Sequence, residues 1–313
     1  MTGPLTPGGP DSVITVGTFD GVHLGHHRVL EEIAERARRS GRRSLLVTFE
    51  PHPLEIVNPP AAPPLLTLAH ERREVLAQSE LDAVVILRFT RELSQLSAEE
   101  FVRLLMRRYH LRELVIGFDH GMGRGRTGDV AVLRDLGRRL DVAVDVVEAV
   151  AVDGRSVSST LIRRAIAGGD LAHAARFLGR PYSLTAPVVP GAGRGRTIGY
   201  RTINLELPDH RKLLPPDGVY AVRVEWARGT SGGMMHQGPR PTFGDARRSI
   251  EVHLFDPVPD APDLYGQQVK LSWVSRLREV QAFASAQALR HQLDNDFAAA
   301  RAALTGSTGP TSH

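Results

Sequence analysis

His23 and His26 stand three residues apart in the stretch Val16-Gly17-Thr18-Phe19-Asp20-Gly21-Val22-His23-Leu24-Gly25-His26-His27. An apolar run, Val13 to Val16, leads into it, and a helical pattern of Val29, Leu30, Ile33, Ala34 and Ala37 leaves it. The spacing therefore predicts a strand, a glycine-rich turn and a helix start. Glycines at 17, 21 and 25 lack a Cβ and let backbone approach a ligand closely. The start of a helix presents unpaired N–H groups and the positive end of its dipole, which favours phosphate. Imidazoles at that end can donate hydrogen bonds to phosphoryl oxygens as charge develops in a transition state.

Three further stretches carry groups suited to the same chemistry. Thr48-Phe49-Glu50-Pro51-His52-Pro53 closes a predicted strand, Ser44 to Phe49, with a histidine held between two prolines. That is a rigid loop at the end of a strand, where open α/β sheets bind ligands; a histidine merely packed between prolines reads the same way. Gly117 to Asp129 is dense in glycine and arginine, including Asp119 and Arg126, and implies a mobile loop over a ligand. Ser158, Ser159, Thr160 and Arg163 open another helix. Either serine can serve as a plain helix cap, while hydroxyls and a guanidinium at a helix start also suit triphosphate oxygens.

The elements that position these groups alternate. Helices are predicted from about Gly25 to Ser40, Ala69 to Ser79, Ala98 to Tyr109, Val130 to Leu140 and Leu171 to Leu178. Strands are predicted at Val13–Val16, Ser44–Phe49, Ala83–Leu87, Glu113–Ile116 and Val142–Val150. Such alternation argues a parallel, doubly wound sheet. After Ser183 the pattern changes to short period-two runs, at 184–189, 218–224, 249–256 and 268–274, with turns between them. That reads as a small antiparallel β-barrel, followed by a helix from about Ser285 to Leu304. The expected organisation is a disordered 1–11, a first domain at 12–183, a second at 184–304 and a disordered tail at 305–313.

The chain has 313 residues, enough for two buried cores, and no cysteine, which excludes disulfides, zinc–thiolate sites and thiol nucleophiles. Its start lacks a signal-peptide pattern and no apolar run is long enough to span a bilayer. A cytoplasmic protein with no membrane partner is expected. With 39 basic and 35 acidic residues the net charge is +4, too mild to argue for nucleic acid. The expected assembly is a monomer or a weak homo-oligomer.

The motif G-x-F-D-G-x-H-x-G-H at Gly17–His26 resembles the HxGH nucleotidyltransferase signature in the form found in prokaryotic FAD synthetases. Thr48–Pro53 is similar to the TFEPHP segment of those enzymes, and Ser158–Arg163 to their S-S-T-x-I-R motif. Gly117, Asp119, Gly123, Arg126 and Gly128 fit their G-x-D-F-x-F-G-x-x-R-x-G loop, with His120 and Met122 where aromatic residues are usual. The second half resembles the riboflavin kinase module of bacterial bifunctional enzymes. The cues are Gly193–Tyr200, the turn Arg240–Phe243, Glu251–Asp256 and Leu264–Gly266. The family's P-T-A-N stands here as Arg201-Thr202-Ile203-Asn204, and its N-I-G as His236-Gln237-Gly238.

The resemblance implies ATP-dependent phosphorylation of riboflavin to FMN, then adenylyl transfer from ATP to FMN, giving FAD and pyrophosphate. It implies ATP and Mg²⁺ as co-substrates, with riboflavin, FMN and FAD as substrate or product. For adenylyl transfer it points to His23 and His26 as catalytic, with Gly17, Phe19, Asp20, Gly21, His52, Asp119, Arg126, Ser158, Ser159, Thr160 and Arg163 binding nucleotide or flavin. For the kinase it points to Glu251 as general base, Thr202 and Asn204 at the metal, and Gly191, Arg196, Gly199 and Arg240 around nucleotide and flavin. Read without the resemblance, Glu251 is an exposed strand residue. The changes at Arg201, Ile203 and His236 leave room for a second reading, an FAD synthetase with a weakened or inactive kinase. A third is a flavin- or RNA-binding regulator without turnover.

Overall fold

A computed structural model describes residues 9–118, 120–191, 202–240, 245–255 and 264–306. The chain divides into two compact units, Met1–Ser159 and Thr160–His313.

The first unit contains β1 (Ser12–Val16), α1 (Leu24–Ser40), β2 (Arg43–Glu50), α2 (Pro53–Val57), α3 (Ala69–Leu76), β3 (Ala83–Arg88) and α4 (Arg91–Gln95). It continues with α5 (Ala98–Tyr109), β4 (Leu111–Gly117), α6 (Val130–Leu140), β5 (Ala143–Val147) and a short ribbon, β6 (Ala151–Val152) and β7 (Arg155–Ser156). The five longer strands form one parallel sheet in the order β3-β2-β1-β4-β5. All five residues of β1 are buried, as a central strand covered on both faces must be. Alternation assigns its side chains to opposite layers. Val13 packs with Leu30 and Ile33 of α1, whereas Ile14 and Val16 pack with Phe101 and Leu105 of α5. Helices thus cover both faces, and strand order reverses beside β1. The crevice between the carboxyl ends of β1 and β4 is where such sheets bind ligands.

α1 ends where its sequence says it should. Gly41 adopts a left-handed φ of 66° and its N–H donates to the carbonyl of Ala37, with Arg38 and Arg39 in the last turn. The N-terminal residues expected to be disordered begin to be held by Asp11: its carbonyl accepts from the Arg43 N–H, and its carboxylate pairs with Arg112 at 3.2 Å. Residues 1–8 lie outside the described residues. The strand expected over 142–150 is shorter, because β6 and β7 turn away as a two-stranded ribbon.

The second unit opens with α7 (Ser159–Ala167), whose first residue closes the first unit, and α8 (Leu171–Leu178). Then come β8 (Ser183–Val189), β9 (Ile203–Leu205), β10 (Gly218–Trp226), β11 (Gly229–Arg240), β12 (Asp245–Leu254), β13 (Gln268–Arg278) and α9 (Ala286–Gly306). The strands close an antiparallel barrel in the order β10-β11-β12-β9-β8-β13. The compact units part at Ser159, ahead of the expected boundary at Ser183. A Cβ on Gly169, between α7 and α8, would lie 3.7 Å from Pro216 and 3.9 Å from Arg276 of the barrel unit. The tail expected to begin at 305 starts inside α9, which runs on to Gly306; residues 307–313 lie outside the described residues.

β11 is a strand that periodicity does not reveal. Its sequence, Gly-Thr-Ser-Gly-Gly-Met-Met-His-Gln-Gly-Pro-Arg, is poor in β-forming residues. It forms because β10 and β12 pair with it on either side. Its glycines are sites of close approach: a Cβ on Gly232 would lie 2.9 Å from Leu304, and one on Gly233 2.9 Å from Val252.

α9 seats Ala300 and Leu304 against Val219, Ala221 and Met234 of the barrel. A charged fork fixes it: Arg278 Nε and Nη2 donate to the Asp296 carboxylate at 2.9 and 2.7 Å, and Gln292 Nε2 donates to it at 2.8 Å. Asp296 is only 4% exposed. Removing one partner of such a pair strands the other charge, at a cost of about 3–5 kcal/mol. Asp296→Ala is therefore expected to destabilise the barrel unit by about 3 kcal/mol, read as an earlier denaturant midpoint at the Trp226 and Trp273 fluorescence.

Candidate active site

The turn between β1 and α1 is conformationally costly. Phe19 and Val22 hold positive φ values of 49° and 39°, and Gly21 one of 84°. For an aromatic and a β-branched residue this costs roughly 1–3 kcal/mol each and persists only where surroundings enforce it. The enforcer is Asp20, 1% exposed. Its carboxylate accepts from the backbone N–H groups of Leu66 (3.0 Å) and Thr67 (2.9 Å) and from the Thr67 hydroxyl (3.1 Å). Thr67 Oγ1 also accepts from the Gly21 N–H at 3.0 Å. Asp20, expected among the ligand-binding residues, thus spends these bonds on the 66–67 backbone and sets the shape of the loop.

His23 is the N-cap of α1. Its Nδ1 accepts from the His26 N–H, and His26 Nδ1 accepts from the His23 N–H, both at 3.3 Å. This is a reciprocal capping box built from imidazoles instead of a hydroxyl and a carboxylate. The rings stack with centroids 3.6 Å apart, and Phe19 stacks on His26 at 4.4 Å. With each Nδ1 accepting, the hydrogen-bond pattern assigns each neutral ring's hydrogen to Nε2. Two parallel imidazoles with Nε2–H donors therefore stand at the first turn of α1. Gly25 makes room, since a Cβ there would press on the His23 ring at 3.2 Å. Gly17 does the same for the Phe19 ring, 2.9 Å from where its Cβ would be, and its N–H donates to the Val47 carbonyl.

The other expected residues of this unit take up comparable posts. His52 caps α2 through Nδ1, which accepts from the Leu54 N–H at 3.2 Å, while its own N–H donates to Glu55. The Ser159 hydroxyl donates to the Asp20 carbonyl at 2.9 Å, tying the start of α7 to the β1–α1 turn. Ser158 is half-buried beside it. Further along α7, Thr160 is exposed and Arg163 half-buried. Asp119 lies outside the described residues. Arg126 is exposed at a φ of 58°, after a short turn at Arg124–Arg126.

The 120–128 segment, expected to be mobile, is fastened. Met122 and Gly128 exchange backbone hydrogen bonds, Arg124 N–H donates to the Leu96 carbonyl, and Gly123 lies against Ala98, where a Cβ would come within 2.5 Å. Met122, in the place of an aromatic, is 4% exposed and packs in the core.

Sequence reasoning passed over Arg72 of α3. It is 6% exposed, yet its Nη1 donates to the Thr18 carbonyl at 3.1 Å and its Nη2 to the Phe49 carbonyl at 2.8 Å. Burial pulls its guanidinium below the ordinary arginine value, and the charges of Asp20 and Glu50 oppose that shift. No local motif announces such a residue; the signal is a charge in a helix whose partners lie 54 and 23 positions away.

In the barrel unit, strand register does the assembling. Glu251 of β12 is directly opposite Asn204 of β9 on one side and His236 of β11 on the other. Asn204, Glu251 and His236 therefore form one cross-strand row. Their neighbours Ile203, Leu205, Ile250, Val252 and Met235 are buried, so the row lies on the opposite face from the core. Ser249 Oγ donates to Glu251 Oε1 at 2.8 Å and orients the carboxylate. Gly191 lies against Asn204, where a Cβ would be 2.0 Å from Nδ2. Thr202 is two residues from Asn204, on the same side of the strand line by alternation. Arg196 and Gly199 lie outside the described residues, as does the Arg240 side chain.

A family model described as FAD synthetase matches residues 7–161, and one described as riboflavin kinase matches 178–304. A bifunctional riboflavin kinase/FMN adenylyltransferase of Pseudomonas fluorescens is 39% identical over 301 residues, 95% of this chain and 94% of its own. The protein of that name from Escherichia coli K12 is 36% identical over 291 residues, 92% and 91% of the two chains. A crystal structure described as a macrolide-efflux protein from Streptococcus pneumoniae superposes with a TM-score of 0.82 at 32% identity, covering 94% of this chain and 95% of its own. Among the described residues no helix is long and apolar enough to cross a membrane.

Asp20→Ala leaves the Leu66 and Thr67 donors buried without their acceptor, each at about 1–3 kcal/mol. The variant is expected to lose about 3 kcal/mol of stability in the first unit, and Asp20→Asn less, as measured by hydrogen exchange at residues 17–27 and 66–72.

Proposed function

The chain belongs to the family of bifunctional riboflavin kinase/FMN adenylyltransferases, and on that premise we propose which residues perform each reaction. The protein phosphorylates riboflavin to FMN with ATP and adenylylates FMN to FAD. Matches to both halves favour two activities over an adenylyltransferase alone and over a regulator without turnover.

Adenylyl transfer is the work of residues within 12–183, and the paired imidazoles of His23 and His26 carry this reading. A phosphate oxygen of FMN attacks the α-phosphorus of ATP, the bond to the β-phosphate oxygen breaks, and pyrophosphate leaves. The transition state gathers negative charge on the triphosphate. The Nε2–H donors of His23 and His26 and the N–H groups opening α1 meet that charge, and the Ser159 hydroxyl joins them on exchanging the Asp20 carbonyl for a phosphate oxygen. Ser158, Thr160 and Arg163 are assigned to triphosphate oxygens by the family motif that they match. Gly17 and Gly21 admit the nucleotide close to backbone, Asp20 and Phe19 hold the turn, and His52, Asp119 and Arg126 flank the flavin phosphate and nucleotide.

Phosphorylation is the work of 184–304. Glu251 takes the proton of the ribityl hydroxyl as its oxygen attacks the γ-phosphorus of ATP and ADP leaves. Ser249 keeps the carboxylate aimed. Thr202 and Asn204 offer hard oxygen donors, which fit Mg²⁺; among the described residues no cluster of His, Cys, Asp or Glu could hold a metal by itself. A magnesium ion shared between those oxygens and ATP would neutralise phosphate charge. Gly191, Arg196, Gly199 and Arg240 complete the nucleotide and flavin contacts. We assign the enzyme to the cytoplasm, as a monomer or weak homo-oligomer acting on small molecules, in keeping with its lack of cysteine.

His26→Ala removes a donor worth about 10²–10³ in rate. It is expected to abolish FAD formation from FMN while riboflavin is still converted to FMN, both followed by chromatography; unchanged FAD output sinks the assignment. Gly191→Ala drives a methyl into Asn204 and is expected to lower FMN formation at least about tenfold while FMN is still converted to FAD, since the methyl displaces a residue placed beside the reacting groups.

A further inference from the structure

We infer that Arg72 is a positioning residue for adenylyl transfer, clamping together the two loops that carry His23, His26 and His52. The inference rests on the adenylyltransferase reading of the first unit.

Thr18 lies in the loop leaving β1, and Phe49 lies at the end of β2, just before the His52 loop. These are adjacent strand ends, and one planar guanidinium spans them with a nitrogen on each carbonyl, at 3.1 and 2.8 Å. Thr48 reinforces the junction, its hydroxyl donating to the same Thr18 carbonyl at 3.1 Å. Thr18 is next to Phe19, whose ring stacks on His26, so the clamp is one residue removed from the imidazole stack.

A buried cation is expensive, and this one is not balanced by contact with an acid. Asp20 and Glu50 act on it only through space, with no ion pair to Arg72 among the described residues; the Glu50 carboxylate is engaged instead by Arg73, at 2.8 Å. Its Nε is buried without a partner. Two neutral carbonyls are poor compensation for a desolvated charge. An apolar side chain would have served packing better. What the guanidinium supplies is a rigid fork that holds two loop ends at a fixed separation, and an ammonium on a flexible stem cannot bridge both carbonyls in the same way. Displacing reacting groups by about 1 Å can cost about 100-fold in rate.

The test is steady-state conversion of FMN to FAD by the full chain carrying Arg72→Met or Arg72→Lys. Turnover is expressed per site able to bind FMN, counted by calorimetric titration with FMN and a non-hydrolysable ATP analogue. The clamp predicts that kcat per binding site falls about 10- to 100-fold in Arg72→Met, with KM for ATP within about threefold of wild type, and that Arg72→Lys lies between. Riboflavin phosphorylation by the same samples should be unchanged, confirming an intact chain. Loss of binding sites and of turnover in equal proportion would mean that Arg72 only stabilises the fold, and would overturn the inference. Unchanged kcat per site would overturn it too. Should Arg72→Met not fold, Arg72→Lys decides: full turnover per site rejects the clamp, and a several-fold loss supports it. His26→Ala run in parallel separates the two levels. If it leaves FAD formation intact the adenylyltransferase site itself is misplaced; if it abolishes FAD while both Arg72 variants turn over normally, only the clamp fails.

Discussion

The carboxylate of Asp20 faces inward and spends its lone pairs on backbone N–H groups of residues 66 and 67 and on a threonine hydroxyl. Those bonds hold a turn in which Phe19 and Val22 occupy backbone conformations they would not choose. From that turn follow the stacking of Phe19 on His26 and of His26 on His23. Charge-assisted hydrogen bonds to buried backbone are about twice as strong as neutral ones, enough to hold strain of this size.

The barrel reaches its chemistry by a different route. Its residues are arrayed by pairing: Asn204, Glu251 and His236 come from separate strands and meet because antiparallel register places them opposite one another. A slip of one residue would send the whole row to the other face. Barrel closure fixes that register from both sides, and β9, only three residues long, gains its place from β8 and β12. Ile203, bulkier than the alanine of the related motif, is accommodated because its side chain lies in the core at 4% exposure, away from Thr202 and Asn204.

Much of this was readable from residue order. The spacing of His23 and His26 behind a buried strand announced a helix start, and the alternation of elements announced a parallel sheet with β1 inside it. Periodicity located most helices to within a few residues, since Val29, Leu30, Ile33 and Ala37 can be buried together only on a helix. What remained hidden depended on distant partners. Asp20 looked like a ligand contact because the backbone that captures it lies 46 residues on. Arg72 passed without notice in the helix expected over Ala69 to Ser79. β11 was invisible because glycine carries no periodic signal, and its strand conformation is imposed by neighbours. The imidazole capping box was unreadable too, since serine or threonine and glutamate are the usual occupants of that device.

The central place of β1 also has a bearing on synthesis at the ribosome. β2 can flank β1 once residue 50 has emerged, but the other flank, β4, spans residues 111–117. Until then an apolar edge with unpaired backbone is exposed to the surroundings, a state in which nascent chains associate wrongly or engage chaperones. β1 therefore waits for a flank translated much later, and the histidines borne just behind it share that wait.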